Sequence, residues 1–240
     1  MKISKPYTLT TETFQNIGSE AVRLYLREPY LFYEKQIDDL INSHSNVLEL
    51  GAGTGLHTYS LSLKAAKVTA TDISQEYLDI LLKNALSKKL ENITTKIADI
   101  ENLPFKDKSF DAVVSAGSLS YGDSMKIDLE VRRVLKPGGY FICVDSLNNN
   151  PLYYINRFIH VKRKKRKKIS FLNMPTIKRI KSISSMYKKT EVKYFGCISF
   201  LGPVLIRPFG ENFFFKISRK VDRLFKIKRS AFKFVLVAKT

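Results

Sequence analysis

The feature that most constrains the fold is a short apolar segment that runs directly into three closely spaced glycines. Asn46–Leu50 (NVLEL) has the length and apolar content of a buried strand, and Gly51, Gly53 and Gly55 follow it at once. Glycines let the backbone turn sharply and approach a ligand without a Cβ clash. A helix-compatible stretch continues to about Ala66. The sequence therefore predicts a strand–loop–helix unit that binds a nucleoside at the carboxyl end of the strand.

Strand-like and helix-like segments alternate on both sides of this unit. Further strands are predicted at 67–71, 93–97, 110–115 and 140–144, and helices at 75–86 and 123–135. Residues 14–41, ahead of the first strand, are predicted to be helical with a break at Pro29. This alternation predicts an α/β fold with a Rossmann-like, doubly wound, mostly parallel sheet.

Beyond residue 150 the predicted elements are helices at 151–159, 175–187 and 211–225 and strands at 192–201 and 231–238. We expect seven strands in all, the last two forming an antiparallel pair at one edge. The predicted organisation is one domain with three parts. These are an N-terminal helical cap (1–45), a cofactor-binding core (46–150) and a basic C-terminal region (151–240) with a substrate cap and the last two strands.

The spacing of the glycines excludes a dinucleotide-binding loop. The third glycine comes one position too early for G-x-G-x-x-G, and the Glu49 carboxylate would repel a pyrophosphate. Glu49 suits a ligand with a positive amine or sulfonium, although it could instead only cap the loop amides. Asp72 ends the second predicted strand at the distance from Gly51 that lets a carboxylate bind both ribose hydroxyls.

Five motifs, in order, resemble those of the class I S-adenosylmethionine-dependent methyltransferases, in the small-molecule branch related to ubiquinone/menaquinone-type methyltransferases. They are VLELGAGTG (47–55), TDIS (71–74), ADIENLPF (98–105), SFDAV (109–113) and VLKPGG (134–139). The resemblance implies S-adenosyl-L-methionine as cofactor and S-adenosyl-L-homocysteine as product.

The resemblance also implies a role for each matching residue. The methionine end of the cofactor falls to the loop, the ribose to Asp72 and the adenine to Ile73, Asp99 and Ile100, although Ile73 also suits an ordinary core position. The full set of implied cofactor-binding residues is Glu49, Gly51, Ala52, Gly53, Asp72, Ile73, Asp99, Ile100, Ser115 and Ala116. His57 could contact the cofactor carboxylate or simply be solvated at a helix start.

The segment 115–121 (SAGSLSY), which follows the fourth predicted strand, carries no obvious general base. It has no histidine and no Asn/Asp-Pro-Pro-aromatic sequence, the signature of amine methylation in this fold. We therefore expect an oxygen nucleophile, whose proton a base must remove. The candidate bases are Asp145, which could instead cap the next segment, and His160, which could instead be structural or solvated. Four tyrosines could line the acceptor pocket: Tyr7, Tyr30, Tyr33 and Tyr121.

The net charge of +19 is concentrated in the C-terminal part. Residues 1–150 carry 17 Lys and Arg against 19 Asp and Glu, and residues 151–240 carry 24 against 3. Three interpretations stay open. The region could favour an anionic or lipid-linked small molecule or glycan at the inner membrane face, helped by the basic run 162–168 and its apolar neighbours. It could bind RNA, or its lysines could simply be solvated.

The remaining composition argues for an intracellular chain. Cys143 and Cys197 lie in apolar segments and are predicted to be buried free thiols, with no metal site. No secretory signal and no membrane-spanning run is evident, so we expect a cytoplasmic protein, in peripheral contact with the membrane if its acceptor is lipid-linked. The predicted function is methyl transfer to a small-molecule or glycan acceptor. The alternatives are an RNA methyltransferase and a catalytically inactive cofactor-binding interaction protein.

Overall fold

The structure is a computed structural model that describes residues 23–163, 168–225 and 227–240. Its centre is a single seven-stranded sheet with the strand order β3-β2-β1-β4-β5-β7-β6. The strands are β1 (Asn46–Leu50), β2 (Lys67–Asp72), β3 (Ile93–Ile97), β4 (Phe110–Ala116), β5 (Leu135–Ser146), β6 (Lys189–Phe195) and β7 (Lys233–Lys239). Strands β1 to β5 pair in parallel, and β7 is antiparallel to both β5 and β6. The predicted fold class is confirmed.

Helices cover both faces of the sheet. They are α1 (Glu28–Leu40), α2 (Thr58–Ser62), α3 (Gln75–Ser87), α4 (Ser124–Val134), α5 (Pro151–Lys162), α6 (Lys168–Leu172), α7 (Ile177–Ser185), α8 (Gly202–Phe209) and α9 (Glu211–Leu224). Local signals set several of these boundaries. The Ser74 hydroxyl accepts from the amide of Tyr77 at the start of α3, and Asp123 accepts from the first amides of α4. Pro29 occupies the first turn of α1, where a missing amide costs nothing.

Alternation along the strands divides the apolar side chains between two cores. On one face, Leu48 and Leu50 pack with residues of α4 and α7 such as Ile127 and Ile180. The other face joins Val47 to α1 and α3, through residues such as Tyr33. Because side chains alternate along a strand, Glu49 shares the second face with Val47, beneath α1 and α2. Both cysteines are buried free thiols, as predicted.

The predictions for the C-terminal part were wrong in detail. The predicted strand at 192–201 is strand only to Phe195, because a 3-10 turn (Ser199–Leu201) and then α8 follow. Pro203 stands in the first turn of α8, a position that proline favours. The helices α6 and α8 were not predicted. The division at residues 45 and 150 stays a prediction, and residues 1–22 of the proposed cap lie outside the described residues.

One connection is much longer than the sheet requires. Strands β6 and β7 are antiparallel neighbours, with Phe195 paired to Lys233, so a two-residue turn could join them. The chain instead inserts residues 196–232, which contain α8 and α9. Because β6 runs parallel to β5, this segment leaves and re-enters the sheet at the carboxyl edge, where the glycine loop also lies. Within the described residues, no helix is long and apolar enough to cross a bilayer.

Candidate active site

The glycine loop forms an open cradle beyond β1. Gly51 and Gly53 both have positive φ, +64° and +55°, which L-residues rarely adopt. A Cβ on Gly51 would lie 2.6 Å from the Cβ of Ser118, whereas a Cβ on Gly53 would meet no atom within 4 Å. The amide of Ala52 donates to the Thr71 carbonyl at 2.8 Å and joins the loop to β2. The loop is thus packed against protein at Gly51 and open to a ligand at Gly53.

Asp72 holds the loop in this shape. One carboxylate oxygen accepts from the amide of Gly53 at 2.9 Å, and the other accepts from the amide of Ser74 at 3.0 Å. Asp72 therefore stands beside the open part of the loop at the end of β2. The predicted ribose contact is compatible with this position.

Glu49 is buried in β1 with an unused oxygen. Among the described residues, its Oε2 atom has no hydrogen-bond partner. Burial raises the pKa of Glu49 to about 7 against the opposing effect of the Thr58 hydroxyl, and the negative charge of Asp72 adds to the rise. A buried carboxylate without a partner is costly. A ligand that brings a positive amine to this oxygen would relieve the cost, so the residue fits the methionine end of the predicted cofactor better than a loop cap.

Three further buried polar atoms near Glu49 also lack partners in the described part of the chain: Tyr33 Oη, His57 Nδ1 and Thr58 Oγ1. His57 stacks on Tyr30 with 5.5 Å between ring centroids and meets Tyr33 edge-on at 5.8 Å. Burial, with the charge of Lys233, lowers the pKa of His57 to about 4. The histidine is therefore buried and neutral, and the idea that it is solvated was wrong. Together these groups form a cluster of buried polar side chains where α1 packs on the sheet.

The predicted adenine side of the site is exposed. Ile73 has 72% of its surface accessible, so its alternative assignment to the core was wrong. Asp99 is also exposed, and its Oδ1 atom accepts from the amide of Glu101 at 2.9 Å, while Ile100 is half-buried. The exposed aliphatic side chain of Ile73 suits the flat face of an adenine. The fixed carboxylate of Asp99 suits the amino group at its edge.

The segment after β4 closes the other side of the cradle. The Ser115 and Ser118 hydroxyls are 2.6 Å apart, and both residues are buried. Ala116 is half-buried, and Gly117 has a φ of +88° with open space where a Cβ would stand. Ser115 and Ala116 therefore lie next to the glycine loop that Ser118 contacts, and their role in lining the cofactor pocket stays a prediction.

Asp145 is buried at the end of β5 and is occupied by backbone amides. Its carboxylate accepts from Leu119 at 3.0 Å and from Ser146 at 2.6 Å. Burial raises the pKa of Asp145, against the opposing effect of Lys233. These contacts favour the alternative in which Asp145 caps backbone amides of adjacent segments and is not the base. His160 lies on α5, but its side chain is not among the described ones. Tyr7 lies outside the described residues. The predictions for both residues stay untested.

Two buried cations near the site were missed from the sequence. Lys233 begins β7, with its ammonium 4.9 Å from the ring centroid of Tyr30. Arg179 of α7 donates to Asp128 at 2.8 Å and to the Leu119 carbonyl at 2.7 Å. Both looked like ordinary members of a basic region. Only the apolar residues on both sides of Lys233, in an otherwise apolar run, indicated that it could be buried. Tyr30 and Tyr33 lie on α1 around His57, whereas Tyr121 is exposed.

Comparison with known proteins agrees with this geometry. Residues 48–143 match the family model of the methyltransferase domain. YafE of Escherichia coli, described as uncharacterized, is 36% identical over 99 residues, 41% of this chain and 48% of its own. A demethylmenaquinone methyltransferase of Tropheryma whipplei is 37% identical over 103 residues, 42% of each chain. The match thus spans less than half the length of these curated relatives.

A solved structure extends the similarity of the fold. The geranyl diphosphate C-methyltransferase of Streptomyces coelicolor, crystallised with Mg²⁺, geranyl diphosphate and S-adenosyl-L-homocysteine, superposes with a TM-score of 0.61. Its sequence is 15% identical, and the superposition covers 89% of this chain and 78% of that one. This similarity shows the fold alone. Residues 48–143, which contain the glycine loop and Asp72, therefore form a domain of the methyltransferase domain family.

Proposed function

We propose that the protein transfers the methyl group of S-adenosyl-L-methionine to a small-molecule or glycan acceptor and releases S-adenosyl-L-homocysteine. The observation that carries the proposal is the buried, unpartnered Oε2 atom of Glu49 beside a loop that is open at Gly53. A cationic partner would stabilise the ionised form of a carboxyl group in that position. The open space at Gly53 would let a ligand lie close to the backbone of the loop. Both features fit an amino-acid end joined to a nucleoside.

The cofactor would be held from three sides. Glu49 and the amides of the glycine loop, including Ala52, would bind its methionine end, and Asp72 would bind the ribose. Ile73 and Ile100 would pack on the adenine, and Asp99 would accept from its amino group. Ser115 and Ala116 would line the remaining wall. When bound, the cofactor supplies an activated methyl group, and the protein supplies alignment and a water-poor pocket.

An oxygen acceptor must lose its proton as it takes the methyl group. Asp145 already accepts two backbone hydrogen bonds, so we assign it to positioning the segment after β4. His160, on the helix that follows β5, stays the candidate base. The oxygen would form its bond to the methyl carbon as that carbon's bond to sulfur breaks, and the hydroxyl proton would pass to the imidazole.

We propose that the acceptor is anionic or lipid-linked and is reached at the inner membrane face of the cytoplasm. Residues 151–240 carry 24 basic and three acidic residues, and this excess of positive charge would attract such an acceptor. Lys233 also places a buried cation beside Tyr30 at the carboxyl edge. RNA is the less favoured acceptor, because the matched relatives named above include a demethylmenaquinone methyltransferase.

Calorimetric titration with S-adenosyl-L-homocysteine tests the cofactor assignment. We expect micromolar binding by the wild type and loss of at least tenfold in affinity in Asp72→Ala. Glu91→Ala, an exposed carboxylate after α3, is the matched control and should bind like the wild type. A folded wild type that does not bind would refute the assignment.

A turnover assay then separates an enzyme from an inactive binder. Release of S-adenosyl-L-homocysteine is measured with sugars, lipid-linked glycans and RNA as acceptors. Turnover with a sugar or glycan supports the proposal, and turnover with RNA alone contradicts the acceptor class. Tight cofactor binding without turnover on any of these acceptors would favour the interaction-protein alternative.

A further inference from the structure

Helix α5 exposes the side that a surface helix normally buries. Its inward residues are Tyr153 and Arg157, four positions apart and both buried. Leu152, Ile155 and Ile159, spaced by three and four positions, point outward and are 54%, 54% and 40% exposed. An apolar stripe at helical spacing usually faces a core. Here the stripe is left in solvent while an arginine is turned inward, which marks an interaction surface.

Helix α6 enlarges this stripe into a surface. Phe171 is buried and contacts Tyr154 and Phe158 of α5, with ring centroids 4.9 and 6.3 Å apart. The same helix leaves Ile169 and Leu172 exposed. The α5–α6 surface therefore consists of six exposed apolar side chains on two helices that pack together: Leu152, Ile155, Phe158, Ile159, Ile169 and Leu172.

The charge around the α5–α6 surface selects its partner. The sequence that joins the two helices is the run KRKKRKK at 162–168, of which Lys162 and Arg163 are described and exposed. An apolar stripe flanked by a lysine- and arginine-rich segment is typical of helices that lie in the headgroup region of an anionic membrane. A second copy of this chain would bring another strongly basic region and be repelled. RNA would use aromatic stacking, whereas this stripe is mainly aliphatic.

The α5–α6 surface is fixed to the edge of the sheet that carries the site. Helix α5 begins at Pro151, shortly after β5 ends at Ser146. Arg157 donates to the Leu147 carbonyl at 2.7 Å, and the Tyr153 hydroxyl donates to the Gly196 carbonyl at 3.1 Å. These contacts tie α5 to the ends of β5 and β6. A bilayer seated on α5 would therefore lie beside the carboxyl edge.

We propose that the α5–α6 surface docks the protein on anionic lipid bilayers, with its apolar side chains in the headgroup region and the exposed Lys162 and Arg163 against lipid phosphates. Docking in this orientation brings the carboxyl edge of the sheet to the membrane. This orientation matters only under the proposed function, in which a methyl acceptor enters the site at the carboxyl edge. The docking itself depends only on the surface.

Vesicle sedimentation tests the docking with the full chain. Wild-type protein is mixed with vesicles of phosphatidylcholine alone or of phosphatidylcholine and phosphatidylglycerol in equal parts. We expect binding to the anionic vesicles that weakens with added salt. Ile155→Glu should bind at least about tenfold more weakly, because it places a carboxylate in the apolar stripe. Leu86→Glu, at an exposed leucine of α3, is the matched control and should bind within about twofold of wild type.

Several results would overturn the docking proposal. The first is that the wild type does not bind anionic vesicles. The second is that Ile155→Glu and Leu86→Glu lose binding equally. The third is that the wild type forms a dimer, which Ile155→Glu dissociates, and binds no vesicles. Titration of Ile155→Glu with S-adenosyl-L-homocysteine distinguishes the two proposals. Normal cofactor binding with lost vesicle binding supports both. Vesicle binding by a wild type that binds no cofactor keeps the docking and refutes only the proposed function.

Discussion

Asp145 and Arg179 hold the same residue, Leu119, from its two backbone ends. Asp145 accepts from the Leu119 amide at 3.0 Å, and Arg179 donates to the Leu119 carbonyl at 2.7 Å. Arg179 is itself paired with the buried Asp128 of α4 at 2.8 Å. The segment between β4 and α4 is thus clamped by a buried charge network that begins in the C-terminal region.

Breaking this clamp should destabilise the whole domain. Arg179→Met leaves Asp128 buried without its partner, and we expect the free energy of unfolding to fall by about 3–5 kcal/mol. Lys126→Met removes an exposed ion pair with Glu101 and should cost no more than about 1 kcal/mol. Urea denaturation measures both. Equal, small losses would show that the clamp contributes nothing beyond a surface pair.

Substitution by alanine should have different effects at Gly51 and at Gly53. At Gly53 a Cβ is strained by the positive φ, at about 1–2 kcal/mol, but clashes with nothing, so the protein folds while cofactor affinity falls at least tenfold. At Gly51 the Cβ also meets Ser118 at 2.6 Å, so stability falls further. Thermal melting and titration with S-adenosyl-L-homocysteine separate the two effects. Unchanged affinity in Gly53→Ala would mean that the open space at Gly53 is not the ligand cradle.

Cofactor affinity should depend on pH through Glu49. Its pKa of about 7 means that the carboxyl is largely protonated at pH 6, and an arriving amine favours the ionised form. Binding therefore releases a proton below pH 7. We expect affinity for S-adenosyl-L-homocysteine to rise up to tenfold per pH unit toward pH 7 and then to level off. Glu49→Gln should bind weakly with little dependence on pH. Parallel slopes in the two proteins would contradict this role.

His57 should make the fold sensitive to acid. In the unfolded chain it takes up a proton near pH 6.5, whereas burial delays this in the folded protein to about pH 4. The stabilisation is fully present above pH 6.5 and is lost as pH falls toward 4, by about 3 kcal/mol in total. His57→Phe keeps a ring against Tyr30 but does not titrate. The gap between its unfolding free energy and that of the wild type should therefore shift by most of this amount from pH 7 to pH 4.5. A constant gap would exclude the effect.

The first half of the fold was predictable because each strand is followed by its own local signal. Gly51 directly follows β1 and Asp72 is the last residue of β2, so spacing alone located them. The apolar run from Cys197 to Leu201 carried no such signal, since strand and helix are indistinguishable by composition over so short a stretch. Its assignment as strand therefore failed at residue 196.

The site shows the same contrast. The residues predicted to bind the cofactor follow one another within motifs, but the polar cluster around His57 arises only when α1 packs across β1 and α2. Arg179 reaches a carbonyl 60 positions away, and nothing near it in the sequence indicates burial. A basic composition hid two cations, Arg179 and Lys233, that the fold turns inward. Patterns therefore identified the nucleoside loop, while the walls around it depended on tertiary contacts.

The placement of β7 between β5 and β6 sets an order on folding. Strand β6 has no hydrogen-bonded neighbour other than β7 in the described sheet, so it cannot join until β7 has been synthesised. The 37 positions of the segment 196–232 must close as a loop before that pairing forms, which slows the step. Until then β5 presents an unpaired edge to other chains. A ribosome-bound chain that ends before Lys233 would therefore be a ready substrate for chaperones.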